Sequence, residues 1–449
     1  NKAKSIGNLT GDVVGKRSQT LFMIVIFLVL LMVNAVFATA ISGLLIKFSS
    51  SVVPVWGAIF VALIIGQIIF RKWMGLGAIS IIGVLALYAL IWAGPSFPLQ
   101  LPETVMGISD NAQWVLILFG YAAIASLLPV WVLLQPRDYI NGLQLFIGLI
   151  LLYGATLLLA PEISAPAFNS NTPEGTPSMV PLLFVTIACG AISGFHGLVA
   201  SGTTSKQLDK ETDARFVGYF GAIGEGSLSL ATIIAATAGF ATLADWEAVY
   251  SSFGQGGVAA FVEGGANIIS QGLGLDVGIS ETLLTVMAVL FAGTTMDTGL
   301  RLQRYIFQEW GNLYNINWMQ KALPATLLAA GSCLLLAFGA GGADGTGGLV
   351  IWPLFGTTNQ LLAGLTLLVI TVMLVRLGRP MYYTLLPLIF LLIMTVFALI
   401  VQLKGFYDSG DWFLMGLDLV VLVAAIWIAL EASAGLSKIR KEQKAQKQE

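Results

Sequence analysis

Titratable and hydroxyl side chains are scarce in the apolar segments of this chain, so each one found there is a candidate for chemistry. The stretch CGAISGFHGLVASGTTSKQ, Cys189 to Gln207, carries the only histidine, His196. Ser193, His196 and Thr203 recur at spacings of three and seven, close to one face of a helix. An imidazole changes charge near neutral pH, which suits it to proton transfer. Gly190, Gly194, Gly197 and Gly202 surround it, each weakening a helix by about 1 kcal/mol relative to alanine. One reading is a polar lining on a helix that can unwind. The other is a neutral histidine bonded to a carbonyl, with the glycines serving close packing.

Three further segments carry such groups. Glu225 lies in YFGAIGEGSLSLAT, with Gly221, Ser229 and Thr232 on its face. A carboxylate there is either protonated by desolvation or held by a partner; it serves proton coupling or a helix–helix hydrogen bond. Asp297 lies in AGTTMDTGLRLQRY, where Thr294, Thr295 and Thr298 make a hydroxyl–carboxylate cluster suited to a proton or cation. A local ion pair with Arg301, four residues on, is the alternative. In IASLLPVWVLLQPRDYIN, Pro129 interrupts an apolar run and must break or kink a helix. Broken helices mark substrate sites in secondary transporters, and a plain kink with Arg137 as an interfacial anchor is the alternative. Thr357, Thr358 and Asn359 in IWPLFGTTNQLLAGL look like a helix N-cap.

The elements holding these residues follow from composition. Of 449 residues, 57% are hydrophobic and 10% charged, whereas soluble domains carry about 25% charge. This is the composition of an all-α, polytopic membrane protein. Twelve segments are long enough to span: 21–45, 53–70, 76–93, 113–134, 142–160, 180–201, 217–242, 279–300, 321–340, 357–375, 382–403 and 412–431. The runs are continuous rather than alternating, so helices are expected and not barrel strands. Placing the loops alternately puts 20 of the 22 Lys and Arg on one side, with only Lys47 and Lys404 on the other. By the positive-inside rule, both ends of the chain are expected in the cytoplasm. The loop 243–278 is expected to form short interfacial or re-entrant helices, or an ordered cap. Residues 1–431 are read as one transmembrane domain and 432–449 as a basic tail. The net charge of −2 says nothing about nucleic acid, but no basic domain exists outside the short C-terminal tail, so no nucleic-acid partner is expected; two isolated cysteines with one histidine leave no metal-ligand set and no disulfide framework. No cofactor is expected.

The motifs LPVWVLLQPRDYIN, ACGAISGFHGLVASGTTSKQL, TTMDTGLRLQRY and WPLFGTTNQLLA together resemble those of the carbon starvation protein A (CstA) family of bacterial inner-membrane transporters. The resemblance runs from SIGNLTGDVVGKR to about Leu403. It implies uptake of small nutrients during carbon starvation, short peptides or pyruvate, energised by proton symport, with sodium the weaker candidate. It also implies a leucine-transporter-like five-plus-five inverted repeat. Family members carry further spans ahead of the position where this sequence begins, at Asn1. In that register the first span here is the third core helix, the Pro129 segment is the broken sixth, and the His196 segment is the eighth. The candidate substrate-binding residues are then Ser126, Pro129, Trp131, Gln135, Ser193 and His196. The candidates for proton or ion coupling are His196, Thr203, Glu225, Thr294, Thr295 and Asp297.

Other functions fit less well. A membrane enzyme would need a constellation such as HExxH, GxSxG or a phosphate-binding loop, and none is present. A channel would carry rings of charge or a repeated filter, and a sensor would attach a signalling domain. The sequence gives no oligomeric state. A secondary transporter for a small molecule, working in the lipid bilayer, is the expectation.

Overall fold

In hydrocarbon an apolar run satisfies its backbone groups internally, as a helix. The structure, a computed structural model, describes residues 16–430 except 170–171, 174–175, 177, 252–255 and 428–429. The first 15 residues and the tail 432–449 lie outside the described residues. Among those described, nine helices are long and apolar enough to cross a membrane. They are α1 (Lys16–Lys47), α2 (Val52–Phe70), α3 (Leu76–Ala93), α5 (Leu134–Leu159), α8 (Asp213–Ala238), α11 (Val277–Leu313), α12 (Ala322–Gly341), α13 (Gly347–Arg376) and α14 (Tyr382–Ser409). Three expected spans take other forms. The fourth is α4 (Asp110–Leu127), the sixth is split into α6 (Phe184–Ala191) and α7 (Gly194–Gly202), and the twelfth is the shorter α15 (Trp412–Trp427). The chain is a multi-pass, all-α membrane protein. Its one described sheet is a two-stranded hairpin, β1 (Thr104–Val105) and β2 (Ile108–Ser109), ahead of α4.

The centre and periphery are distinct. In α1 and α13, 72% of the most apolar window is buried within the protein, against 11% in α8. α1 packs on α11, α12 and α13, and these helices enclose the main core. Small residues let the backbones approach: a Cβ on Gly348 of α13 would lie 2.5 Å from the Ala35 carbonyl oxygen of α1. This is how membrane helices gain contact where the lipid competes for apolar surface.

The loop 243–278 folds into two helices, α9 (Leu243–Val249) and α10 (Gly257–Leu273). α9 opens on a capping box between Thr242 and Asp245, and α10 packs against α5, α8 and α11. Lys47, one of the two cations expected on the sparsely basic side, pairs with Glu263 of α10 at 2.5 Å.

Two sequence expectations about local structure are corrected. The fourth span does not continue to residue 134. Leu128 is extended, at φ −67° and ψ 147°, because the proline ring that follows disfavours helix at the residue before it. Pro129 therefore sits in a six-residue connection, 128–133, between α4 and α5. Thr357, Thr358 and Asn359 are not an N-cap. α13 begins ten residues earlier, at Gly347, and all three are buried in its interior. Thr357 and Thr358 hydroxyls donate to carbonyls one turn back, at Pro353 and Leu354.

Candidate functional site

Two polar centres emerge, one at the break in the sixth span and one beside the Pro129 connection. At the first, helix stops at Ala191 and restarts at Gly194. The new amino end is capped from another helix. Asn359 Oδ1 accepts from the Phe195 amide at 2.8 Å, and its Nδ2 donates to Ser193 Oγ at 3.0 Å. A capping oxygen is normally supplied by the residue just before the helix; here α13 supplies it. Gly194 and Gly197 make this possible. A Cβ on Gly194 would come within 2.4 Å of the Asn359 carbonyl oxygen, and one on Gly197 within 2.8 Å of Thr366 Oγ1. Both glycines serve close packing on α13.

His196 lies between them and points elsewhere. Its Nδ1 is 3.6 Å from Glu225 Oε2 on α8, with the two side chains 53% and 39% exposed. The single histidine and a carboxylate from a different helix therefore meet. Ser193 is turned to Asn359 and does not share the lining with His196. Thr203 ends α7, its amide donating to the Val199 carbonyl at 2.9 Å.

The second centre is more enclosed. Arg137, near the start of α5, is 2% exposed. Its Nη1 donates both to Asp297 Oδ2 on α11 and to the Tyr121 hydroxyl on α4. The Tyr121 hydroxyl also donates to Asp297 Oδ2 at 3.0 Å. Asp297 is thus held by Arg137 rather than by Arg301 one turn on. Arg301 instead donates from Nη2 to the Ala125 carbonyl at 2.8 Å, satisfying the carboxyl end of α4 that Pro129 cuts short. Both sides of the connection are anchored to α11 by charges four residues apart. Thr294 and Thr295 donate to carbonyls of their own helix, at Leu290 and Phe291, and do not gather around the carboxylate.

The remaining candidates flank the connection. Ser126 is buried, its hydroxyl donating to the Ala123 carbonyl. Trp131 stacks on Phe70 of α2, with ring centroids 4.0 Å apart. Gln135 Nε2 donates to Gln207 Oε1 at 3.1 Å, joining α5 to the segment after α7. Beside Arg137 lies a small, mainly apolar gap between α1, α2, α4, α5 and α11, lined by Trp56, Ile59, Leu118, Tyr121 and Gly293 among others. Trp56 and Tyr121 meet edge to face at 5.5 Å.

Comparison with known proteins identifies the family. Residues 1–243 and 241–398 match the family described as carbon starvation protein CstA. The chain belongs to the CstA family. A protein of Campylobacter jejuni named peptide transporter CstA is 30% identical, the match covering 91% of this chain and 66% of that protein. A peptide transporter CstA of Helicobacter pylori is 33% identical over 67% of this chain and 51% of its own length. The pyruvate/proton symporter BtsT of Escherichia coli is 29% identical over 90% of this chain and 68% of its own. This CstA chain thus spans 51% to 68% of the length of these relatives.

Tyr121, Trp56 and the reach of Asn359 into the sixth span were not singled out by sequence. The signal for Asn359 was present: TTNQ places four polar residues in a row inside an apolar segment, and all four are fully buried. Tyr121 and Trp56 carried no comparable signal, since aromatic residues are ordinary in such helices.

Proposed function

We propose that this chain forms part of a proton-coupled importer of small nutrients, short peptides foremost, in the bacterial inner membrane, with both of its ends in the cytoplasm. The observation that carries the reading is the pairing of His196 with Glu225 at 3.6 Å across two helices. Ionisable groups within spans are costly and serve proton relays in transporters. A histidine and a carboxylate that meet between two spans are side chains of the types that pass protons. The names of the relatives, peptide transporters and a pyruvate/proton symporter, support transport over catalysis. The loop charges support the orientation.

The mechanism is alternating access. Substrate binds beside the 128–133 connection and the broken sixth span, the segments that Gln135 and Gln207 join. The His196–Glu225 pair takes a proton in the outward state and releases it inward. The histidine beside the Ser193 and Thr203 hydroxyls favours a proton over sodium as the coupling ion.

The test is uptake into proteoliposomes of the full-length protein under an imposed pH gradient. Glu225→Gln is expected to abolish gradient-driven uptake while sparing substrate exchange. Uptake by Glu225→Gln with an unchanged pH profile would remove the assignment. A second reading, pyruvate as the substrate, is favoured by one observation, the buried cationic Arg137 near the connection. Comparing pyruvate with di- and tripeptides in the same assay separates the two.

A further inference from the structure

We propose that the turn between α2 and α3 binds the headgroup of an anionic phospholipid, with Arg71 and Lys72 as its cations and Trp73 and Trp131 beside them as its apolar walls. The site goes beyond the transport reading and does not depend on it.

The turn is short, residues 71–75, and joins two helices of spanning length. It therefore lies at a membrane surface whichever way the chain is oriented, near the level of the lipid phosphates. The Trp73 amide donates to the Ile68 carbonyl and the Lys72 amide to the Ile69 carbonyl, both at 3.1 Å. These two bonds close α2 in a Schellman motif. Lys72 takes the left-handed position of that motif, at φ 54°. Glycine is the usual residue there, because a Cβ is unfavourable in that conformation. A lysine kept where glycine is easier is a sign that its charge is used.

The neighbouring side chains suit a phosphate with an acyl chain beneath it. The Arg71 guanidinium stands over the Trp73 ring at 5.0 Å. This cation–π contact restrains the guanidinium and leaves N–H groups for phosphate oxygens. Lys72 adds a second charge one residue on. Both cations are exposed, and among the described residues neither pairs with a carboxylate. Phe70 stacks on Trp131 with ring centroids 4.0 Å apart, and these two rings and Trp73 are all exposed. Tryptophan favours the headgroup level, where one end of the ring is in apolar surroundings and the other is wet. Charge and apolar surface thus adjoin as they do in a phospholipid. Trp131 belongs to the 128–133 connection, and the end of α2 is packed on that segment: a Cβ on Gly66 would lie 2.8 Å from the Val132 carbonyl oxygen. A lipid on this turn also covers the Trp131 side of the connection.

The test is native mass spectrometry of the purified full-length protein with phosphatidylglycerol or phosphatidylcholine added, alongside its melting temperature in the same mixtures. Wild type is expected to retain phosphatidylglycerol in preference and to melt higher with it. Arg71→Gln with Lys72→Gly is expected to bind phosphatidylglycerol about tenfold more weakly, or more, since each cation at a membrane surface is worth about fivefold. Glycine suits the φ of the turn, so this variant is expected to keep the wild-type melting temperature when no lipid is added. Lys206→Gln with Lys210→Gln removes two exposed charges from the segment after α7 and is expected to bind as wild type does. Equal retention of the two lipids by wild type overturns the site, as does equal weakening by the Lys206 and Lys210 changes. Inorganic phosphate that raises the wild-type melting temperature as far as phosphatidylglycerol does would also overturn it, since the turn would then hold an ion and not a lipid. The comparison of lipids needs no variant, so a folding defect in either one leaves the inference testable.

Discussion

Asp297 shows how much a single side chain depends on partners far along the chain. Sequence proximity offered Arg301, but a helix neighbour at i+4 reaches only along its own surface. Arg137, 160 residues away, fills the buried position and shares its Nη1 with Tyr121. Removing one side of a buried pair strands the other charge, at a cost of about 3–5 kcal/mol. Asp297→Asn is therefore expected to lower the melting temperature of the purified protein strongly. The double change Arg137→Met with Asp297→Leu is expected to lose less than Asp297→Asn alone, because both ions of the buried pair are gone and the Asp138 carboxylate left without its cation at 3.7 Å is 42% exposed. If the double change is the more damaging in the same melting assay, the pair does more than neutralise itself. Asn359 poses a gentler version of the question. Asn359→Ala removes the acceptor for the Phe195 amide, and a loss of about 1–3 kcal/mol is expected, again read by thermal melting.

At the scale of elements, the broken sixth span is held by shape as much as by hydrogen bonds. α7 approaches α13 through Gly194 and Gly197, where a Cβ meets backbone in one case and a threonine side chain in the other. Gly194→Ala is expected to destabilise by about 1–3 kcal/mol, the range for overpacking a filled interior. Gly190, in α6 of the same span, has nothing within 4 Å of an added Cβ. Gly190→Ala is expected to be neutral or stabilising by up to about 1 kcal/mol through helix propensity. Equal behaviour of the two variants in thermal melting would show that close approach is not what fixes α7. This contrast also bears on His196: the flanking glycines hold the helix to α13, and this frees the imidazole for the opposite side.

The whole molecule has a crowded centre, α1 with α11, α12 and α13, and a sparsely covered flank at α8. The His196–Glu225 pair stands on that flank. Its sidedness is an expectation from loop charge, and cysteine labelling tests it directly. Single cysteines placed at Lys206 and Arg376, in a background without the two native ones, are expected to react only when reagent reaches the cytoplasmic side. A cysteine at Glu263, which pairs with Lys47, is expected to react from the opposite side. Labelling of all three from one side would break the proposed topology.

Class and span organisation were open to the sequence because the bilayer imposes them locally. Twenty apolar residues in hydrocarbon have to be helical, so the class needs no knowledge of neighbours, and the cationic loops supply an expectation of sidedness. Pro129 likewise announced an interruption, since its ring acts on the residue beside it. What that interruption became, a connection and not a kink within one span, depended on Arg301 and Arg137 arriving to anchor both ends on α11. The partners of His196 and Asn359, and the gap beside Arg137, were decided only by the tertiary structure. Contacts between residues 29 to 166 positions apart, such as His196 with Glu225 and Ser193 with Asn359, are set by which helices pack together. An apolar helix looks much the same on every side until its neighbours are known.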